Sequence, residues 1–395
     1  MPLQAHMRLI STDDHVVEPP TLWQERLPTG HREAGPRIIE TTEPTIDHHG
    51  ISIEAGAQVW LHEGRLFPQI GINAVAGRPP EEFGFEPARF DQMRPGCYEP
   101  GARVSDMDLD GVQAQLCFPS FPRFAGTTFL RGTDRDLGLA CVQAFNDWIL
   151  EDWCGSAPTR LIPMAILPLW DAELAAAEVH RVAAKGAKAI SFIESPEPLG
   201  LPSFHTDHWD PVLTAVQDTD LALCMHFGTS GKTPTTAADA PFAVTIALMG
   251  TNSMWATVDL LFSPVLHKFP RLRIALAEGG IGWIPYILER ADYTWERHRH
   301  YMPIDKETRP SELFRRHFWG CYIDDEFGLR NREEVGIDRI TFESDYPHSD
   351  SNWPDSRKRA AKVLADVPDA DAHRIVELNA RELLRFDADL LGQPS

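Results

Sequence analysis

Basic residues are scarce in this chain. Its 37 lysines and arginines stand against 58 aspartates and glutamates, a formal net charge of −21 over 395 residues. Such a surface repels phosphate backbones, which argues against a nucleic-acid partner. Cysteines are few: the six (Cys97, Cys117, Cys141, Cys154, Cys224, Cys321) are scattered and never form C-x-x-C. No disulfide framework is visible, and several of the thiols sit in apolar runs where a reduced cysteine acts as a small hydrophobe. No charged N-terminal segment leads into an apolar core, so secretion is not indicated and a cytoplasmic location is expected. Long apolar runs are missing too. The stretch from Phe242 to Phe262 contains Gly250, Asn252, Ser253, Asp259 and three threonines. It is too polar to cross a membrane and reads as two buried or interface helices. There is no internal repeat, no low-complexity tract and no G-x-G-x-x-G after the first apolar run. "GTSGKT" (228–233) resembles a phosphate-binding loop, but His226 stands where its first glycine belongs.

What the chain does have is eight short apolar runs: "RLISTD" (8–13), "AQLCFPS" (114–120), "LIPMAILP" (161–168), "AKAISFIE" (187–194), "LALCMHFG" (221–228), "RIALAEGG" (273–280), "FWGCYID" (318–324) and "ITFESDYP" (340–347). Most are near-continuous, as strands buried on both faces require. Helical patterns lie between many of them, such as "LWDAELAAAEVHRVAAKG" (169–186), which ends at a glycine, and "GWIPYILERADYTWERHRHY" (282–301). Eight strand–helix alternations predict a parallel (β/α)₈ barrel, a single domain over residues 1–395. An open doubly wound sheet is the alternative. The first connection is abnormally long. Residues 16–105 are expected to form an inserted lid or substrate-shaping subdomain, with "VWLHEGRLFP" (59–68) a hairpin turning at Glu63-Gly64. Aromatics in this insertion (Trp60, Phe67, Phe83, Phe85, Phe90) suggest a partly apolar substrate.

In such a barrel, chemistry comes from the C-terminal ends of different strands. The predicted ends supply Asp13 and His15 after strand one, Glu194 after strand four, His226 after strand five, Glu278 after strand six and Asp345 after strand eight. Taken singly, each has a plainer role. A strand-end histidine is often a hydrogen-bonded structural group, and Glu278 or Asp345 could cap the next helix. Together, four carboxylates and two histidines at one mouth would repel strongly without cations.

The D-x-H after strand one, "MHFG" after strand five, "EGGIGWIPYILERAD" and "ESDYPHSDS" resemble the amidohydrolase superfamily. The closer match is its amidohydrolase-related branch, which includes the aminocarboxymuconate-semialdehyde decarboxylase type. The resemblance runs from Leu9 to about Phe386. It implies a (β/α)₈ barrel with metal at its C-terminal face. The family's H-x-H pair falls on Asp13 and His15, its strand-five histidine on His226 and its strand-eight aspartate on Asp345. Glu278 holds the strand-six histidine position, and Glu194 the place of a bridging strand-four group. Two histidines are thus replaced by carboxylates. That makes the site richer in oxygen and shifts preference toward iron or manganese, with zinc tolerated.

Charge balance then favours two divalent ions with Glu194 between them. Asp345 is the expected general base and Glu278 a ligand or water-orienting group. His205, His208, Arg290 and His348 are candidate substrate-binding groups at the rim, against a plain loop or helix role for each. Metal-assisted hydrolysis or decarboxylation of a small, partly apolar substrate is the leading function. A non-haem di-iron oxygenase on the same barrel is the alternative from ligand chemistry, and a non-catalytic binding protein the third. The apolar stretch 242–262 points to a homodimer.

Overall fold

The computed structural model describes residues 3–47, 52–69, 71–84 and 89–387. Each of the eight apolar runs forms a strand: β1 (Leu9–Val16), β2 (Val112–Pro119), β3 (Leu161–Ile162 and Met164–Ala165), β4 (Ala189–Phe192), β5 (Ala222–His226), β6 (Arg273–Ala277), β7 (Phe318–Tyr322) and β8 (Ile340–Phe342). All neighbours pair in parallel. Pro163 divides β3 because it has no N–H for the ladder. The half before it pairs with β2 and the half after it with β4, which closes the sheet into a barrel.

Alternate residues of the strands fill the interior. Ile10, Leu116, Ile162, Ala189, Cys224, Ala275 and Trp319 belong to one apolar cluster, as the period-two rule for strands requires. Leu383, Leu384 and Phe386 of the C-terminal segment join that cluster. Asn379 donates to the carbonyls of Ile337 and Ile340, and Arg273 donates to that of Leu383 (2.8 Å). The C-terminal segment therefore seals the end where strands begin and leaves the end where they finish as the mouth. Helices cover the outside. The helix Ala172–Ala184 starts because Asp171 accepts the N–H groups of Glu173 and Leu174, and the chain leaves it through Gly186 at φ +96°.

Between β1 and the helix Pro100–Asp110, the chain builds a three-stranded antiparallel sheet from Arg37–Glu40, Gln58–His62 and Arg65–Pro68. Its hairpin turns on Glu63 and Gly64, both left-handed at φ 47° and 73°. Three aromatics of this segment pack against other rings of the protein. Trp60 packs on Trp23 (5.0 Å) and Phe121 (4.8 Å), Phe67 on Phe121 (5.4 Å), and Phe90 on Tyr98 (5.3 Å). Phe85 lies outside the described residues. The segment reaches the loop after β8, where the N–H groups of Val75 and Ala76 donate to the Pro347 carbonyl (3.0 and 3.2 Å).

One buried guanidinium ties these parts together. Arg103 is fully enclosed and donates to the carbonyls of Gly96 (2.7 Å) and His15 (2.5 Å) and to the Gln115 side chain (3.2 Å). It also stacks 4.3 Å from the Tyr346 ring. A lysine offers a point charge in place of this fork. Arg103→Lys is expected to leave carbonyls unpartnered and to destabilise the chain by about 2–6 kcal/mol, seen as a lower thermal midpoint. An unchanged midpoint would show that the pin carries no weight.

Candidate metal centre

Asp13 and His15 lie two apart on β1, so both face the mouth, while Asp14 between them faces away. Asp14 accepts from Gln115 (3.0 Å), the Tyr346 N–H (3.0 Å) and the Ser344 hydroxyl, and burial pushes it up to about 7. The strand ladder continues past β8: the Asp345 N–H donates to the Asp13 carbonyl (3.0 Å) and the His15 N–H to that of Tyr346 (2.7 Å). These bonds hold Asp345 beside Asp13 and His15.

His226 ends β5, and its Nδ1 donates to the Phe227 carbonyl (2.6 Å). That bond fixes the tautomer and leaves the Nε2 lone pair facing the mouth. Glu278 and Asp345 follow β6 and β8 in left-handed conformations, φ 52° and 50°, which non-glycine residues rarely adopt.

Ligand-capable atoms of Asp13, His15 and His226 all lie within 4.8 Å of one another. The same holds for His15, Glu278, Asp345 and His348, and for Asp13, Cys321 and Glu343. His226 Nε2 is 3.0 Å from Glu278 and 3.6 Å from Asp13, while His15 Nε2 is 3.1 Å from Asp345. His348 stacks on His15 with ring centroids 3.5 Å apart and brings Nδ1 to 3.0 Å from Asp345.

Few of these atoms are satisfied within the protein. Both oxygens of Asp13 and of Asp345, both ring nitrogens of His15, and Nε2 of His226 and of His348 are buried without a properly directed hydrogen bond. The 3.1 Å approach of His15 to Asp345 is thus proximity rather than a bond. Buried polar atoms normally find partners. This many orphans converging from β1, β5 and the tail of β8 is a donor set of oxygen and imidazole nitrogen, which fits a divalent cation. The electrostatics agree. Burial, and then the neighbouring carboxylates, hold Asp13 and Asp345 well above the usual carboxylate range. Burial and the adjacent imidazoles hold His15 well below the usual histidine range. A bound cation reverses that pressure on the acids.

The other expected residues are placed differently. Glu194 is in none of the three groups. Its Oε1 accepts from the N–H groups of Gly228 (3.0 Å) and Ser230 (3.3 Å), the Ser230 hydroxyl (3.0 Å) and the Asn252 amide (2.7 Å), while its buried Oε2 has no partner. His205 is half-exposed and pairs with Asp259 (2.7 Å). His208 stands edge-on to Trp209. Arg290 lies on the outer helix Ile284–His298, 5.2 Å from the Tyr293 ring. Of the four rim candidates only His348 joins the cluster.

Sequence reasoning missed Glu343 and Cys321. Glu343 lies two residues before Asp345, the spacing that had paired Asp13 with His15, so the same rule could have found it. Cys321 gave no signal beyond being one more thiol in an apolar run. A cavity of about 380 Å³ opens over Glu278, Glu343 and Asp345, walled by Leu248, Met249, Met254 and Trp283. That is room for a small molecule.

Comparison with known proteins agrees with this fold. The family model described as amidohydrolase matches residues 45–386. A gamma-resorcylate decarboxylase of a Rhizobium species is 23% identical over 303 residues, which cover 72% of this chain and 86% of that one. Among solved structures, an amidohydrolase of Mycobacterium avium subsp. paratuberculosis superposes with a TM-score of 0.70 at 20% identity, covering 96% of this chain and all of that one. A 5-carboxyvanillate decarboxylase of Novosphingobium aromaticivorans, holding manganese and 3-methoxy-4-hydroxy-5-nitrobenzoic acid, superposes with a TM-score of 0.67 at 17% identity over 98% of this chain and 99% of that one. On the strength of the matched model, the barrel and its mouth, this chain belongs to the amidohydrolase family.

Proposed function

We propose that this protein is a metal-dependent, non-oxidative decarboxylase of a small carboxylic acid with a flat, partly apolar body. The observation that carries the reading is the convergence of Asp13, His15, His226 and Asp345, whose metal-facing atoms lack protein partners, beneath a cavity with an apolar wall. The decarboxylase names of the relatives direct it toward carbon–carbon cleavage.

Asp13, His15, His226 and Asp345 would hold the ion, with Glu278 within reach of the same point. When bound, a divalent ion supplies Lewis acidity that fixes a substrate carboxylate and a neighbouring oxygen. Oxygen-rich ligation favours manganese or iron. Trp283, Met249 and Met254 offer a flat unsaturated ring its apolar surface. Asp345, with His348 Nδ1 3.0 Å away, donates a proton to the carbon that bears the carboxylate. The bond to the carboxylate then breaks, its electron pair returns to the ring, and carbon dioxide leaves. His348 passes the replacement proton to Asp345. Val75 and Ala76 lie against the loop that carries Asp345 and His348, and we assign residues 16–105 the shaping of the mouth from that side. Phe242 and Trp255, 53% and 66% exposed, mark the face through which a homodimer would form. Among the described residues no helix is long and apolar enough to cross a membrane.

The oxidative alternative draws no support from Glu194, whose Oε1 is already filled by protein donors. The deciding experiment incubates manganese-loaded protein with ortho-hydroxylated aromatic acids in D₂O. The expected product carries one deuterium at the vacated carbon, with an equivalent of carbon dioxide. Label from H₂¹⁸O in a product acid would mean hydrolysis, and oxygen uptake coupled to turnover would mean oxidation.

Two variants probe the assigned roles. His226→Ala should purify folded with much weaker metal retention, measured by elemental analysis; full retention would remove His226 from the ligand set. Asp345→Asn should lower kcat by about 10²–10⁴-fold, the usual worth of a positioned proton donor. A kcat within a factor of two of the parent would rule that role out.

A further inference from the structure

Building on the reading that the mouth binds a divalent ion, we propose that it binds a second one at Asp13, Cys321 and Glu343, with Asp13 shared between the two. Three features support this.

The first is geometric. Single donor atoms from Asp13 on β1, Cys321 on β7 and Glu343 just past β8 lie within 4.8 Å of one another, all buried. Asp13 also belongs to the group formed with His15 and His226, so its two oxygens can serve one ion each. The second is the unmet demand at Asp13. It is fully enclosed, both of its oxygens are orphaned, and the side chains that press on it electrostatically are Glu343, Glu278 and Asp14, all acids. The third is charge. Asp13, Glu278, Glu343 and Asp345 are four carboxylates in one mouth with Asp350 on its wall, so one divalent ion leaves most of their charge uncompensated and a second offsets more of it, even with a Cys321 thiolate added. Arg103, a buried cation, is spent on backbone carbonyls and faces Asp14.

Glu343 lines the cavity, which gives the ion an entry path. In the structure the Cys321 thiol lies 3.1 Å from the Leu276 carbonyl and also touches Glu343. Binding would release the thiol proton to solvent and leave the thiolate as ligand. A thiolate beside two carboxylates suits zinc or ferrous iron better than manganese, so the two positions differ in the metal they prefer. Glu194 does not do this work, because it lies outside all three groups of candidate ligands.

The test uses cobalt(II) on the 395-residue chain, with metal counted by elemental analysis and absorption read in the near ultraviolet. The proposal expects two cobalt ions per chain and a thiolate-to-cobalt charge-transfer band in the parent. Cys321→Ser should lose the band, and Glu343→Gln should fall to one ion per chain. One cobalt per chain without the band overturns it, and would mean that Glu343 and Cys321 share a proton instead. The band is read on the parent protein, so the result stands even if a variant fails to fold. Carbon dioxide release is scored separately. One ion with decarboxylation removes only this second site, whereas two ions without decarboxylation removes only the proposed reaction.

Discussion

Like charges brought together out of water dominate this structure. Two carboxylates about 4 Å apart repel by roughly 4 kcal/mol even at an effective dielectric of about 20. A whole domain is stable by only about 5–15 kcal/mol. The mouth holds Asp13, Glu278, Glu343 and Asp345, with Asp350 on its wall, so they cannot all be charged there without cations or protons. The raised pKa of Asp13, Glu343 (about 7) and Asp345 is the protonic answer, driven first by burial. Metal is the answer that also provides chemistry. Every other feature of the site is arranged so that the acids stay together until one of these arrives.

The barrel is what holds them. A cluster of strongly repelling groups on loops would relax by moving apart. Here Asp13 sits at a register shift of β1, between Ser11 and Asp14, which both pair with β2; His15 is in the ladder, and His226 ends a strand paired on both sides. Asp345 is fixed by a backbone bond to Asp13 itself. The interior below is packed with apolar side chains and sealed by Leu383, Leu384 and Phe386, so the strand ends cannot sink or splay. Arg103 adds a lateral tie by holding the carbonyl of His15 from behind.

The framework was legible in the sequence because parallel barrels write their strands as short continuous apolar runs, and all eight runs became strands. The first-strand pair, His226, Glu278 and Asp345 were legible for the same reason: each is a carboxylate or imidazole at or just after the end of an apolar run. The environment of Glu194 was not legible. It satisfies the same rule, but Ser230 and Asn252, which surround its Oε1, come from the loop after β5 and the helix that follows. No strand pattern reports where a loop folds back. Helical phase places Arg290 outward over Tyr293. The ring-on-ring packing of the insertion aromatics was not legible, because apolar side chains in an irregular segment look unpartnered in one dimension. In space Trp60 and Phe67 are each other's neighbours through Phe121.

The left-handed backbone at Glu278 and Asp345 has a consequence for how such a protein can be improved. Each carries a conformational cost on the order of 1–3 kcal/mol that glycine would not bear. A laboratory selection that rewards only heat resistance would therefore find these two positions early and exchange them for glycine, gaining robustness while erasing the chemistry. Stabilising the enzyme calls for a screen that holds turnover constant, with mutations directed to the outer helices and away from the ends of β6 and β8.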